Sequence, residues 1–326
     1  MRELSYIQAI AEGLTQAMEQ NERVFLLGEG VDNITGVYGT VLPAYRQFGP
    51  DRVIDTPLSE NGLTGIAIGA ALDGMRPVLF HQRNDFMLLT MDQLVNNAAK
   101  IPYVSAGRHR VPLTVVSFVA RKPGEGAQHT QSLQALFAHV PGLKVVMPAN
   151  PYDAKGMLLS AIADDGPVIV LYHRALFEET TDVPEEIYAL PSGQARIVWV
   201  GWDLTLVGVS AAVKDCLAVV DRLAGNISVE VIDLCSIRPL DKNLIIDSVR
   251  RTGRLLVVDT GWNSYGVAAE IIASVAEAGI ALQAPPRRLG MRETPAPASP
   301  YLLDGYHPGT DQIVAEIRQA FAFPPR

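Results

Sequence analysis

Cysteine is scarce in this chain. Cys216 and Cys235 are the only two, too few for a disulfide framework and without the spacing of a zinc site. Long apolar runs are missing as well: nowhere do about 18 consecutive apolar residues occur, as a membrane-spanning helix requires. The opening Met1-Arg2-Glu3-Leu4 leads at once into an amphipathic pattern instead of a basic and then apolar leader. A soluble, cytoplasmic protein with no membrane partner is expected. Basic charge is also short. Lys and Arg number 27 against 35 Asp and Glu, a formal net charge of -8, and no basic stripe offsets the acidic excess, which argues against a nucleic-acid partner. A phosphate ligand stays open, because backbone amides or a partner chain can hold one.

Familiar catalytic signatures are absent too. No G-x-x-x-x-G-K-[ST] sequence occurs, and Gly28-Glu29-Gly30 lacks the third glycine that a dinucleotide fingerprint needs. There is no G-x-S-x-G nucleophile elbow and no H-E-x-x-H, so no metal-ligand set is expected from this chain. Among six histidines, His129 alone reads as part of a loop rich in small and polar residues.

What is present is core-forming sequence. Hydrophobic residues make up 48% and charged residues 19% of 326 residues, enough for two domains with ample core. Residues 4–19 place Tyr6, Ile7, Ile10, Leu14, Ala17 and Met18 at helical spacing. The run Val24-Phe25-Leu26-Leu27, ending at Gly28-Glu29-Gly30, reads as a buried strand and its loop. The alternation repeats, with strands near 53–54, 78–80, 111–119, 143–147 and 168–172 and helices near 63–72, 88–100, 130–139 and 153–163. Between about 174 and 195 the texture turns polar, acidic and proline-broken, as an exposed connection would be. A second alternation follows, with strands near 197–200, 204–209, 229–233, 255–259 and 286–289. Its helices fall at 211–224, 241–252, from 267 onward and at 310–321. The expected fold class is α/β, with two domains at about 1–185 and 190–326, each a mostly parallel sheet with helices on both faces. Such sheets bind ligands at the carboxyl ends of their strands, which directs attention to the loops at 28–36, 55–62, 81–86 and 120–130.

Two of these loops carry chemistry-bearing side chains. Asp55-Thr56-Pro57-Leu58-Ser59-Glu60-Asn61-Gly62 reads locally as a strand-to-helix turn, with Ser59 or Asn61 capping the helix and Glu60 favoured by the dipole in its first turn. Lys122-Pro123-Gly124-Glu125-Gly126-Ala127-Gln128-His129-Thr130 reads locally as a glycine-containing surface loop with His129 near a helix start. Taken singly, neither decides a function.

Taken in order, several spaced blocks resemble the beta subunit of the decarboxylating component of 2-oxoacid dehydrogenase complexes, of pyruvate, branched-chain or acetoin type. They include Phe48-Gly49-Pro50-Asp51-Arg52-Val53-Ile54-Asp55-Thr56-Pro57-Leu58-Ser59-Glu60, Met91-Asp92-Gln93-Leu94-Val95-Asn96 and Gly126-Ala127-Gln128-His129-Thr130-Gln131-Ser132. Ser236-Ile237-Arg238-Pro239-Leu240-Asp241 continues the likeness, which runs over essentially the whole chain. The resemblance implies a transketolase-like pyrimidine-binding domain followed by a transketolase-type C-terminal domain, with thiamin diphosphate as cofactor. In that family the glutamate matching Glu60 hydrogen-bonds a ring nitrogen of the aminopyrimidine, favouring the tautomer whose neighbouring nitrogen removes the thiazolium proton. Phe86 matches the aromatic ring stacked on the pyrimidine, Leu58 an apolar cofactor contact, and Glu29 a further cofactor-side acid. His129 matches a histidine near the substrate carboxylate and the transferred acyl group. The family holds diphosphate and magnesium with a G-D-G sequence and a later N-N. This chain has no G-D-G, so the resemblance implies an alpha subunit that supplies that half, in an α2β2 heterotetramer. A monovalent cation on backbone carbonyls around Ala161–Asp165 and a lipoyl-bearing acyltransferase partner are implied in the same way.

The chain departs from the family pattern beside the presumed site. Where the family reads Q-F-M-D-F, this chain has Gln82-Arg83-Asn84-Asp85-Phe86, and Arg121 and Lys122 bring cations to the next loop. Gln82, Arg83 and His129 are therefore the candidate substrate contacts, Arg83 suiting a polar or anionic oxoacid or sugar. Three functions follow from these residues. The first is oxidative decarboxylation of a 2-oxoacid with acyl transfer to a lipoyl group. The second is a split transketolase-like or carboligating enzyme acting on a ketose or other polar sugar-like substrate. The third is a non-catalytic scaffold subunit, which retention of Glu60, Phe86 and His129 argues against.

Overall fold

A computed structural model describes residues 2–33, 36–121 and 123–323. The chain divides into two compact units, the first made of residues up to 121 together with 136–192, the second of the loop up to 135 together with 193 onward. Among the described residues, no helix is long and apolar enough to cross a membrane.

The first unit opens with β1 (Arg2–Ser5) and α1 (Tyr6–Gln20). Ser5 caps α1 through a capping box: its hydroxyl accepts from the Gln8 amide, and the Gln8 side chain accepts from the Ser5 amide at 2.8 Å. β2 (Val24–Gly28), α2 (Leu42–Phe48), β3 (Val53–Asp55), α3 (Glu60–Leu72) and β4 (Arg76–His81) follow. After them come a 3-10 turn (Phe86–Thr90), a π turn (Gln93–Ala98), α4 (Ile101–Val104) and β5 (Thr114–Val119). The uninterrupted helix anticipated over 88–100 is thus divided. Ala99 donates to the Leu94 carbonyl, five residues back, and Asn97 turns its side-chain amide onto the Asp92 carbonyl. α5 (Gln134–Ala138), shorter than the helix expected over 130–139, returns the chain to β6 (Lys144–Val146), α6 (Pro151–Ala163), β7 (Val168–His173) and β8 (Thr180–Val183).

Within this unit the strands pair in the order β6-β7-β5-β4-β2-β3, all parallel. β5 and β7 are buried at every position, as helices on both faces of a parallel sheet demand. α1 lays Tyr6, Ile10, Leu14 and Met18 into the core, and its Gly13 faces α6 closely enough that a methyl group there would touch Lys155 and Leu158. The stretch expected to be a plain exposed connection is structured instead. β8 pairs antiparallel with β1, and the carbonyls of Pro184 and Glu186 accept from the Lys155 ammonium at 2.8 and 3.1 Å. That ammonium is wholly buried and also contacts Glu12 at 2.7 Å, so desolvation is offset by a full set of acceptors.

The second unit contains β9 (Arg196–Trp199), β10 (Leu204–Gly208), α7 (Ala212–Leu223), β11 (Val229–Asp233), β12 (Ser236–Arg238) and α8 (Lys242–Thr252). It ends with β13 (Leu255–Trp262), α9 (Val267–Glu277), β14 (Arg287–Met291), α10 (Pro300–Leu303) and α11 (Thr310–Ala320). The sheet order is β14-β13-β10-β11-β9, parallel except for the antiparallel edge strand β9. Leu204, Leu206, Val231, Leu256 and Val258 bury the sheet against Cys216 and Val219 of α7 and Ile313 and Ile317 of α11.

Candidate active site

The carboxyl ends of β2, β3 and β4 build a small open recess lined by Glu29, Ser59, Glu60, Leu63, Phe80, His81, Gln82 and Phe86. Backbone geometry allows it. Gly28, at φ +155, passes so close to β4 that a Cβ there would sit 2.7 Å from the Phe80 carbonyl oxygen. The next residues turn outward and are held by Asp55, whose Oδ1 accepts from the amides of Gly30 at 2.6 Å and Val31 at 3.2 Å. Gln82 donates from its side chain to the Glu29 carbonyl at 3.3 Å, so three strand ends are tied together around the recess.

Glu60 is the first residue of α3, where a carboxylate faces the unpaired amides of the first turn. Ser59 occupies the N-cap position but makes no side-chain cap bond. The turn 83–86 is pinned from behind. Asn84, fully buried, donates its amide to the Phe118 carbonyl at 3.1 Å, and the Phe86 amide closes onto the Arg83 carbonyl at 3.1 Å. That anchoring presents Phe86 to the recess and leaves Arg83 half-buried beside Gln82. Leu58 stands outside the lining, 72% exposed. Arg121 is exposed, and Lys122 lies outside the described residues.

His129 belongs to the other unit. Its loop folds around the Gly126 carbonyl, which accepts from the His129 amide at 3.4 Å and the Thr130 hydroxyl at 2.7 Å. Gly124 and Gly126 take left-handed backbone at φ +90 and +70. The loop is fastened to the second unit by the Gly124 amide on the Ala298 carbonyl at 2.9 Å and by Gln134 Nε2 on Asp259 Oδ1 at 2.8 Å. Asp259 is buried, which raises its carboxyl pKa, and hydrogen bonds from the Gly261 amide, Gln134 and the Val267 amide work against that rise.

The structure therefore brings Glu29, Glu60, Gln82 and Phe86 into one recess and sets His129 on a separately anchored loop. It adds His81, which the sequence reading passed over. His81 closes an apolar strand, Val78-Leu79-Phe80, immediately before Gln82; a polar residue at a strand's carboxyl end was the available signal. Its side chain is 4% exposed, Nε2 has no hydrogen-bond partner among the described residues, and burial lowers its pKa to about 4. In the segment 161–165, the carbonyls of Ile162 and Asp164 accept from the Arg76 guanidinium at 3.0 and 2.9 Å.

Comparison with known proteins agrees with this architecture. Residues 2–179 match the family model "Transketolase, pyrimidine binding domain", and residues 193–313 match "Transketolase, C-terminal domain". The acetoin:2,6-dichlorophenolindophenol oxidoreductase subunit beta of Bacillus subtilis is 39% identical over 96% of this chain and 96% of its own length. The pyruvate dehydrogenase E1 component subunit beta of Rickettsia felis is 38% identical, again covering 96% of each chain. Among solved structures, a split-gene transketolase described as an inactive beta4 tetramer superposes with a TM-score of 0.77 at 19% identity, covering 97% of this chain and 98% of that one. The chain belongs to the family of pyruvate and acetoin dehydrogenase beta subunits, built from a transketolase pyrimidine-binding domain followed by a transketolase C-terminal domain.

Proposed function

We propose that this chain is the beta subunit of a thiamin-diphosphate-dependent 2-oxoacid dehydrogenase and provides the pyrimidine side of each active site. The observation that carries this reading is the convergence of Glu29, Glu60, Gln82 and Phe86 on one recess at the strand ends of a parallel sheet. A carboxylate, an aromatic ring and an unpaired buried nitrogen suit a flat, amino-substituted nitrogen heterocycle. When bound, thiamin diphosphate supplies the carbon nucleophile and the electron sink on which a 2-oxoacid loses carbon dioxide.

The chain's own residues have these parts. Glu60 holds a proton between its carboxyl group and a ring nitrogen of the pyrimidine. Phe86 stacks on that ring, and Glu29 borders it. His129 acts at the substrate carboxylate and the acyl group, with Gln82 and Arg83 orienting a polar or anionic oxoacid. Diphosphate and magnesium belong to an alpha subunit, since this chain lacks a G-D-G sequence, and a lipoyl group on an acyltransferase accepts the acyl product. The names of the relatives weigh against both the carboligating and the scaffold alternatives. No role is assigned to a monovalent cation near 161–165, where Arg76 already supplies positive charge to two carbonyls.

Calorimetric titration of thiamin diphosphate with magnesium tests this, on the chain alone and on the chain co-expressed with its alpha partner. Tight binding by the complex alone supports a divided site. Tight binding by the isolated chain would refute it.

A further inference from the structure

His81 closes β4, the strand between β2 and β5, and lines the recess together with Glu29, Glu60 and Phe86. Its backbone is fixed, the carbonyl accepting from the Ser117 hydroxyl at 2.8 Å. The side chain is all but inaccessible, and Nε2 finds no partner among the described residues. Native interiors hold few such atoms, because a buried nitrogen without a hydrogen bond forfeits its hydration for nothing. An apolar residue of like volume would fill the same space without that loss.

Burial keeps this imidazole neutral, with its pKa lowered to about 4, so it offers one donor nitrogen and one acceptor nitrogen. The carboxyl groups that share the recess, Glu29 and Glu60, bring acceptor oxygens, and the Gln82 amide is turned to the Glu29 carbonyl. His81 is therefore the buried group of this recess with hydrogen-bonding capacity in hand.

We propose that His81 is a specificity-determining contact of the recess, its Nε2 hydrogen-bonding the amino-substituted pyrimidine ring of thiamin diphosphate alongside Glu60. This rests on the reading of the recess as the pyrimidine site.

The test uses the co-expressed complex of the wild type, His81→Phe and His81→Gln, titrated calorimetrically with thiamin diphosphate and magnesium. His81→Phe fills the volume without nitrogen and is expected to lose about tenfold in affinity, the worth of one hydrogen bond. His81→Gln retains donor and acceptor and is expected to stay within about threefold of wild type. A His81→Phe complex that binds as tightly as wild type overturns the contact and leaves the cofactor reading standing. A wild-type complex that binds no thiamin diphosphate removes that reading and the contact with it. Should His81→Phe fail to fold, the 15N resonance of Nε2 in the wild-type complex decides. A shift on adding thiamin diphosphate, but not inorganic pyrophosphate, supports the contact; an unmoved resonance overturns it.

Discussion

Acidification is expected to destabilise this protein through one side chain, His81. Burial lowers its pKa from 6.5 to about 4, whereas in the unfolded chain the imidazole takes up a proton near its ordinary value. Between those two values the unfolded state binds more protons than the folded one, so stability is full above about pH 6.5 and falls as the pH drops towards 4. At 1.36 kcal/mol per unit the loss saturates near about 3 kcal/mol, and between pH 7 and pH 5 it amounts to about 2 kcal/mol. His81 is only 4% exposed, so solvent screening takes little from this figure. Urea unfolding of the cofactor-free protein at pH 7 and pH 5 measures it, with His81→Phe as the reference that cannot titrate. His81→Phe keeps every other side chain of the protein, so contributions common to both proteins cancel in the difference. The wild type should lose about 2 kcal/mol more than His81→Phe over this interval. Equal losses in the two proteins would refute a buried neutral imidazole at position 81.

Three further outcomes are expected. Glu60→Gln in the assembled complex should abolish oxoacid turnover while the unfolding midpoint stays put, because the residue is half-buried at a helix start and the amide keeps its size while removing the proton-holding carboxyl; near-normal turnover would remove Glu60 from the chemistry. Gln134→Ala, which deletes the 2.8 Å tie to Asp259, should speed amide hydrogen exchange across residues 124–131 and lower kcat about tenfold through the looser placement of His129; unchanged exchange would show that the tie does not hold the loop. Lys155→Met leaves Glu12 and the carbonyls of Pro184 and Glu186 without their buried cation and should cost about 3 kcal/mol in chemical denaturation; a change under about 1 kcal/mol would mean that water replaces the ammonium there.

The alternation of strands and helices was legible in the residues themselves. Strands such as Thr114–Val119 and Val168–His173 are covered on both faces and are mostly apolar, while α7 and α8 show one buried stripe each. Glu60 was legible for a related reason: its place at the start of α3 follows from a local turn, which encodes position within a few residues. Relations between distant segments were not written in any such pattern. β1 and β8 are short and partly polar, and they become strands only by pairing with each other across the first unit. The loop that carries His129 sits in sequence within the first alternation, yet Gln134 bonds Asp259, 125 residues away, and the loop packs with the second unit. The burial of His81 likewise depends on β2 and β5 flanking its strand. Hydrophobic periodicity reports which face of an element is covered. Which segment covers it, and whether a nitrogen enclosed there finds a partner, is decided by long-range packing in the tertiary structure.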